Sequence, residues 1–536
     1  MSNLKRLLAG TCWATLWSGS LLSAEPPMPL VPKSPTEISD VTQRLDQLQQ
    51  RLDRLEAENG QLKQSLFNSQ SGSASRVTPA NAEIWNADTA CPPQCQCPVC
   101  AAAKDGKGEW HTGWHHGIEW VSPDKAFKVH IGGRTQFDGV WYGEATSALA
   151  GAGGISGGPF DQDAVAFRRA RLLAEGTMYE TIDYAVEFDF VNSANRESAG
   201  GTNTEGNTFN LPAPTDLWIT FRELVCGANL RVGNMKEPIG FEHQMSSRYL
   251  NFMERSYIQD LFAGPFNNGF SPGVMLYNTW GEERGTWALG GFKNGSNIFA
   301  YDVGNGEYAA DARVTYLPID DPHEHQLLHI GLSGSARDPD TDTVRFRARS
   351  LRNGTGNLAT VFADTGNFTS TMQWLAGAEV AGIWGPLSLQ AEWVGSWCED
   401  SVAIAATKAT AAGPLGTVYT NAYYAELHYF LTGESRDYDR KQGRFIRIIP
   451  KRNFRCKSGC FEPGAWQVAF RYGAADLRDG NLNGGLLQEY VAGINWFLNP
   501  NMKIQWNYVC TERDSAIDGV SDGLIHGFGM RLAHDF

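Results

Sequence analysis

The last nine residues of the chain alternate in character. Phe528, Met530, Leu532, His534 and Phe536 fall on one side of an extended strand, and Gly529, Arg531, Ala533 and Asp535 fall on the other. The same period of two runs through the chain from residue 127. Over residues 129–141 the odd positions carry Val129, Ile131, Phe137 and Trp141, and the even ones carry His130, Arg134, Gln136 and Asp138. Tyr184, Val186, Phe188 and Phe190 alternate with Glu187 and Asp189, and Ala310, Ala312 and Val314 alternate with Asp311, Arg313 and Thr315. Successive strand side chains point to opposite faces, so each segment has one apolar face, one charged face, and aromatics towards its ends. A soluble β-sandwich also alternates, in shorter segments and without aromatic bands. The pattern predicts an all-β chain whose antiparallel strands cross a membrane as a barrel. The barrel must close, because an open sheet edge does not survive in hydrocarbon.

Composition removes the main rival. No long apolar run follows residue 24, and the mean hydropathy of −0.33 excludes a bundle of spanning helices. The chain is instead rich in glycine (58) and aromatics (17 Trp, 27 Phe, 17 Tyr), with only 19% charged residues. Its net charge of −14 speaks against a nucleic-acid partner. Most of that acidity lies beyond residue 100, where 37 Lys and Arg face 50 Asp and Glu. No phosphate-cradling glycine loop with a following lysine appears, nor a Gly-x-Ser-x-Gly elbow or a His-Glu-x-x-His helix, so no enzyme is expected. His111, His115 and His116 in WHTGWHHG read as part of a short aromatic stretch at a barrel rim rather than as a metal site. A pore needs no cofactor, and none is expected.

Ahead of this body, residues 1–24 read as an export signal: Lys5 and Arg6, an apolar stretch, then small residues at Ser23 and Ala24. A Pro-rich spacer covers 25–35. Within 36–67, Ile38, Val41, Leu45, Leu48, Leu52, Leu55, Asn59, Leu62 and Leu66 recur at alternating steps of 3 and 4. That strict period favours an α-helical coiled coil over a lone amphipathic helix, with Asn59 fixing the register. Residues 68–108 form a Ser/Pro/Cys-rich linker that holds Cys91, Cys95, Cys97 and Cys100 in CPPQCQCPVC. An oxidising compartment favours disulfides there, and also at the close pair Cys456 and Cys460; a four-thiolate metal site is the rival for the box. Residues 109–536 are the barrel.

The charged faces hold the candidate site. Arg345, Arg347 and Arg349 alternate with Phe346 and Ala348, and Arg169 and Arg171 flank Ala170. An arginine at the lipid midplane costs roughly 2–4 kcal/mol, so these rows, with Arg134 and Arg313, are expected to face the lumen. The planar guanidinium fork suits an oxyanion. Glu187, Asp189, Asp311, Glu379 and Glu392 lie on the same faces and offer each arginine a structural partner instead.

Several segments together resemble the phosphate-selective porin O and P family. They are RVGNMKEPIGFE (231–242), SSRYLNFMERS (246–256), GAEVAGIWGPLSLQAEW (377–393), YFLTGESRDY (429–438), GAWQVAFRYGAADL (464–477) and INWFLNPNMKIQWNYV (494–509), with GGRTQFD (132–138) and FRRARLLAEG (167–176). The likeness covers about residues 109–536 and leaves out the coiled coil and the cysteine box. It implies an outer-membrane barrel of about 16 antiparallel strands (roughly 16–18), a homotrimer, and a basic lumen that passes small anions such as phosphate. It also implies an inward-folding loop at 237–268 that brings Arg248, Tyr249, Glu254 and Arg255 to the pore, with Lys236 at its start. Three readings stay open: an outer-membrane anion porin, with phosphate or polyphosphate as solute; a barrel whose periplasmic coiled-coil stalk tethers the envelope; and a general diffusion porin without anion preference.

Overall fold

In the computed structural model the described residues are 110–143, 163–195, 208–263, 269–294, 306–339, 343–351, 361–404, 412–457, 460–514 and 522–536. The signal, spacer, coiled-coil and linker segments lie outside them, as do Cys91, Cys95, Cys97 and Cys100.

Sixteen strands make the wall: β1 (Phe127–Tyr142), β2 (Ala164–Met178), β3 (Ile182–Asn195), β4 (Thr208–Val225), β5 (Ala228–Met235), β6 (Ser271–Trp280), β7 (Gly285–Lys293) and β8 (Tyr308–Asp321), then β9 (Gln326–Arg337), β10 (Met372–Trp384), β11 (Leu387–Ala403), β12 (Gly413–Phe430), β13 (Ala465–Asp479), β14 (Leu482–Asn499), β15 (Met502–Asp514) and β16 (Gly523–Asp535). Each pairs antiparallel with the next. The last then returns to the first, with Asp535 opposite Arg134 and Phe528 opposite Trp141. Closure gives every edge a partner, as an apolar surround demands. A short hairpin, His111–Trp114 with Ile118–Val121, adds to the start of β1 and carries His115 and His116 in its turn.

The alternation sets which face looks where. Ile131, Phe137, Leu289, Leu332 and Phe470 point outward and are exposed, whereas Arg134, Asp138, Asp311, Glu379 and Arg471 point inward and are buried. Aromatics band the exterior near both ends. At the rim where the chain terminates (the C-terminal rim), Trp466 stacks on Trp496 at 5.0 Å. Towards the far rim, Trp141 stacks on Phe528 at 6.0 Å, and Trp397 packs on Tyr419 at 5.1 Å. Rings with an apolar body and a polar tip favour such interfaces.

Connections at the C-terminal rim are two to four residues long, apart from 431–464. That turn and the far-rim connections 236–270 and 338–371 all fold into the lumen. Inside, they bury apolar faces that barrel alternation alone does not foresee. Phe346, Ala348, Phe362 and Phe368 pack with Tyr257, Leu261 and Phe262, and inward Leu375, Val394, Val418 and Leu487 join them. On the other side of the loop, Phe241, Met245 and Leu250 pack with Tyr438 and Phe445 from the turn, against Leu317, Leu327 and Ile383.

One expectation is corrected. Arg345, Arg347 and Arg349 do not sit on a wall strand; they lie in connection 338–371, where the regular pieces are only Thr343–Val344 and Arg347–Ala348. The alternation survives, but the apolar face meets other loops rather than lipid. Cys456 is exposed with its thiol free, across from Phe461, and the side chain of Cys460, its expected partner, lies outside the described residues.

Candidate functional site

The connection 236–270 crosses the lumen, and the wall opposite its origin receives it. It leaves β5 at Lys236 and turns at Gly240, whose φ of 66° lies in the left-handed region. A Cβ there would stand 2.7 Å from Glu392 Oε1, so only glycine admits that carboxylate. The short helix α1 (Phe241–Gln244) then begins on Glu392, which accepts the N–H groups of Phe241 and Glu242, the latter at 2.9 Å. Further along, the loop carbonyls are taken up in turn. Leu250 O accepts Lys503 Nζ at 2.7 Å, Asn251 O accepts Asn495 Nδ2 at 2.8 Å, and Glu254 O accepts Arg471 Nη1 at 2.9 Å. Met253 O accepts Arg531. These donors sit on β13 to β16, across the barrel from β5.

Two of the cations expected at the pore spend themselves on this loop. Lys236 Nζ donates to His243 O (2.6 Å) and Met245 O (2.8 Å). Arg255 donates to Glu242 O (3.0 Å) and Met245 O (2.6 Å). Burial pushes the Lys236 ammonium well below the usual lysine range, and the Arg255 charge adds to that. Both residues hold the fold of the loop.

Most wall arginines are neutralised in place. Arg134 pairs with Glu187 at 2.5 Å and donates to Ser246 Oγ and Ser247 Oγ. Arg171 pairs with Asp189 (2.7 Å) and Glu187 (3.0 Å), and Arg313 with Glu379 (2.6 Å). Arg169 donates to Gln136 Oε1 at 2.8 Å. Arg345 pairs with Asp364 at 2.6 Å with its side chain 40% exposed, and Arg349 lies 3.7 Å from Asp260. Arg347 is exposed. Glu187, Asp189 and Glu379 are therefore structural partners of the arginines they neighbour, whereas Glu392 holds the start of the lumen loop.

The loop separates two clefts of different charge. Towards the far rim, Arg255, Arg349 and Arg471 share a cleft with Glu254, Asp260 and Glu489. The Glu254 carboxyl would be raised by burial alone, but Arg168, Arg169 and Arg531 outweigh that and hold it below its ordinary range. Towards the C-terminal rim, Arg134, Arg248, Arg447 and Lys503 line a second cleft with Tyr249, and Asp535 is its one carboxylate. Arg248 is the loosest of these cations: its closest carboxylates are Asp535 at 3.6 Å and Glu187 at 4.0 Å. Arg447 pairs with Asp535 and lies over the Tyr249 ring at 5.5 Å.

Sequence reading missed part of this. Lys503 and Arg531 lie on inward faces of alternating strands that were legible. Arg447 belongs to a turn whose length and charge were the available signal: 431–464 holds nine Lys and Arg against four Asp and Glu. Its contacts with the loop were not legible. Arg436 donates to Tyr249 O at 3.0 Å, Arg444 donates to Gln244 O, and Phe445 meets Phe241 edge-on at 5.0 Å.

A closed barrel with an apolar, aromatic-banded exterior and a charged interior narrowed by inward loops defines a channel of the outer membrane. The chain belongs to the phosphate-selective porin O and P family, whose sequence model matches residues 154–536. It is 26% identical to Porin O of Pseudomonas aeruginosa over 456 residues, 78% of this chain and 91% of that one. It is also 25% identical over 479 residues to a Caulobacter vibrioides protein, covering 83% of each. Among solved structures, an anion-selective porin from Comamonas acidovorans overlaps with a TM-score of 0.41 and 11% identity, over 76% of this chain and 100% of that one. The outer membrane channel DcaP of Acinetobacter baumannii overlaps at 0.42 with 12% identity, over 78% and 99%. Overlaps of this size carry no argument; the family match does.

Proposed function

We propose that the barrel conducts small anions, with phosphate its candidate solute, past the cleft of Arg134, Arg248, Arg447 and Lys503. The observation that carries this reading is the lining of that cleft, four cations and one carboxylate; with Glu187 paired to Arg134 behind it, positive charge stays in excess. A solute oxyanion supplies further negative charge, and Arg248, whose nearest carboxylates stand at 3.6 and 4.0 Å, is the group that takes it. Weak sites in series suit conduction, since a solute must leave as readily as it enters. In this reading Arg345, Arg347 and Arg349 form the far-rim approach, while Arg169, Arg171, Arg313, Lys236 and Arg255 hold the wall and loop. The family name supplies phosphate as the class of solute to test first.

Recording in planar bilayers under a chloride gradient tests the reading. A reversal potential on the anion side, and a chloride current that phosphate blocks, are expected. A cation-side potential would end it. The pairing of Arg134, Arg171 and Arg313 favours a second reading, a general diffusion porin, which predicts a reversal potential near zero.

The expected homotrimer is proposed on the wall formed by β5, β6 and β7, which are 8, 10 and 9 residues long. They are the shortest strands of the wall, at the lower end of the about 9–11 residues that cross a bilayer, so neighbouring copies would cover this low wall. Residues 36–67, on the periplasmic side in this reading, would join the three chains as a coiled coil. Native mass spectrometry with and without residues 36–67 tests both parts.

A further inference from the structure

The turn 431–464 does more than fill the lumen: its return leg climbs onto the outside of the barrel. Phe454 N donates to Leu498 O at 2.6 Å, and the Phe454 ring meets the outward Trp496 edge-on at 5.0 Å. Trp466 and Trp496 both donate their indole N–H to Pro463 O, at 3.1 and 2.6 Å. The C-terminal-rim aromatics therefore clasp this leg at the level where hydrocarbon gives way to headgroups. From there a small hairpin, Arg455–Lys457 with Cys460–Glu462, extends the leg.

What this leg displays is unusual for a rim. Lys451, Arg452, Arg455 and Lys457 are exposed, and no ion pair engages Arg452, Arg455 or Lys457 among the described residues. On either side of them along the chain, Ile449 is 61% and Phe461 72% exposed. Single exposed apolar residues need no explanation. Two such residues flanking four cations, beside an aromatic belt, make an amphipathic surface that water alone does not satisfy. The pore does not use it, because it lies on the outer side of Trp496.

We infer that this hairpin is a docking surface for anionic phospholipid of the leaflet facing the C-terminal rim. The headgroup phosphates sit against Lys451, Arg452, Arg455 and Lys457, while Ile449 and Phe461 enter the acyl boundary. Charge complementarity and continuity with the belt at Trp466 and Trp496 select a lipid over a soluble partner. Lipid held there would brace the turn that packs against the pore loop through Phe445.

Full-length chain in nanodiscs of phosphatidylcholine with a minority of phosphatidylglycerol, delipidated stepwise in a native mass spectrometer, tests the inference. Phosphatidylglycerol should be retained at least about fivefold above its bulk share, the effect of one basic residue near an anionic surface. The combined variant Lys451→Gln, Arg452→Gln, Arg455→Gln, Lys457→Gln should return it to that share. If this variant loses the gel shift of a folded barrel, Arg452→Gln with Arg455→Gln provides the comparison. Retention at the bulk share in the natural protein would overturn the inference, and so would enrichment that survives the substitutions.

Discussion

Arg531 on β16 and Asp138 on β1 are direct cross-strand partners, and they form a two-pronged ion pair at 2.6 and 2.7 Å inside the seam that closes the barrel. The same guanidinium also reaches Glu254 at 2.8 Å and Met253 O on the pore loop. One arginine thus ties the last strand to the first and both to the constriction. Replacing it with methionine keeps the volume but leaves the buried Asp138 without its cation and Glu254 with one fewer. A loss of about 3–5 kcal/mol is expected, read as a lower urea midpoint in micelles. The double variant Arg531→Met, Asp138→Asn should recover part of it; no recovery would mean the seam pair is not the source of the loss.

Arg134 and Arg248 line the same cleft but differ in their partners. Arg134→Gln leaves the buried Glu187 with one fewer cation, so stability falls while ion preference shifts little. Arg248→Gln gives up only the long contacts to Asp535 (3.6 Å) and Glu187 (4.0 Å), so the fold is kept and the reversal potential moves towards zero. Bilayer recording and urea unfolding on both variants check the contrast, and the reverse pattern would reassign the roles.

Burial, with Glu426 adjacent, raises the Glu242 carboxyl to about 7, although Arg471 and Arg255 act in the other direction. Because the folded value exceeds the ordinary one of 4.5, the native chain holds an extra proton between the two. Stability from this group is therefore full below about pH 4.5 and is lost as pH rises through about 7. Glu242→Gln removes the penalty and should raise the unfolding midpoint at pH 8 by an amount worth about 1–3 kcal/mol, with little change at pH 4. Equal effects at both pH values would show that folding does not raise the Glu242 carboxyl.

Gly240→Ala places a methyl group 2.7 Å from Glu392 Oε1 on a backbone with φ of 66°. Strain of about 1–3 kcal/mol falls on the anchor of α1. The loop should loosen, giving a larger and noisier single-channel conductance; a conductance identical to that of the natural protein would place the anchor elsewhere.

The wall was legible because alternation is a local signal: Val129 to Trp141 declares its two faces without any neighbour. The aromatic ends and the terminal Phe536 belong to the same local grammar. The seam pair was half legible, since Arg531 and Asp138 were visibly inward while their register was not. The arginine row at 345–349 shows where the grammar misleads. A period of two describes any extended segment, and Phe346 packs as well on Phe262 of another loop as on lipid.

By itself, then, the sequence determined that strands cross a membrane, which residues face inward, and that the interior is charged. Those properties follow from a period of two and from the cost of charge in hydrocarbon. Tertiary structure alone decided which cations have charge to spare. Arg134, Arg169, Arg171, Arg313 and Arg248 look alike along the chain. Only closure and the inward loops bring Glu187, Gln136, Asp189 and Glu379 onto the first four and leave Arg248 beside an open cleft. Pairing depends on distances of a few ångströms between residues tens to hundreds of positions apart, and no local pattern encodes those.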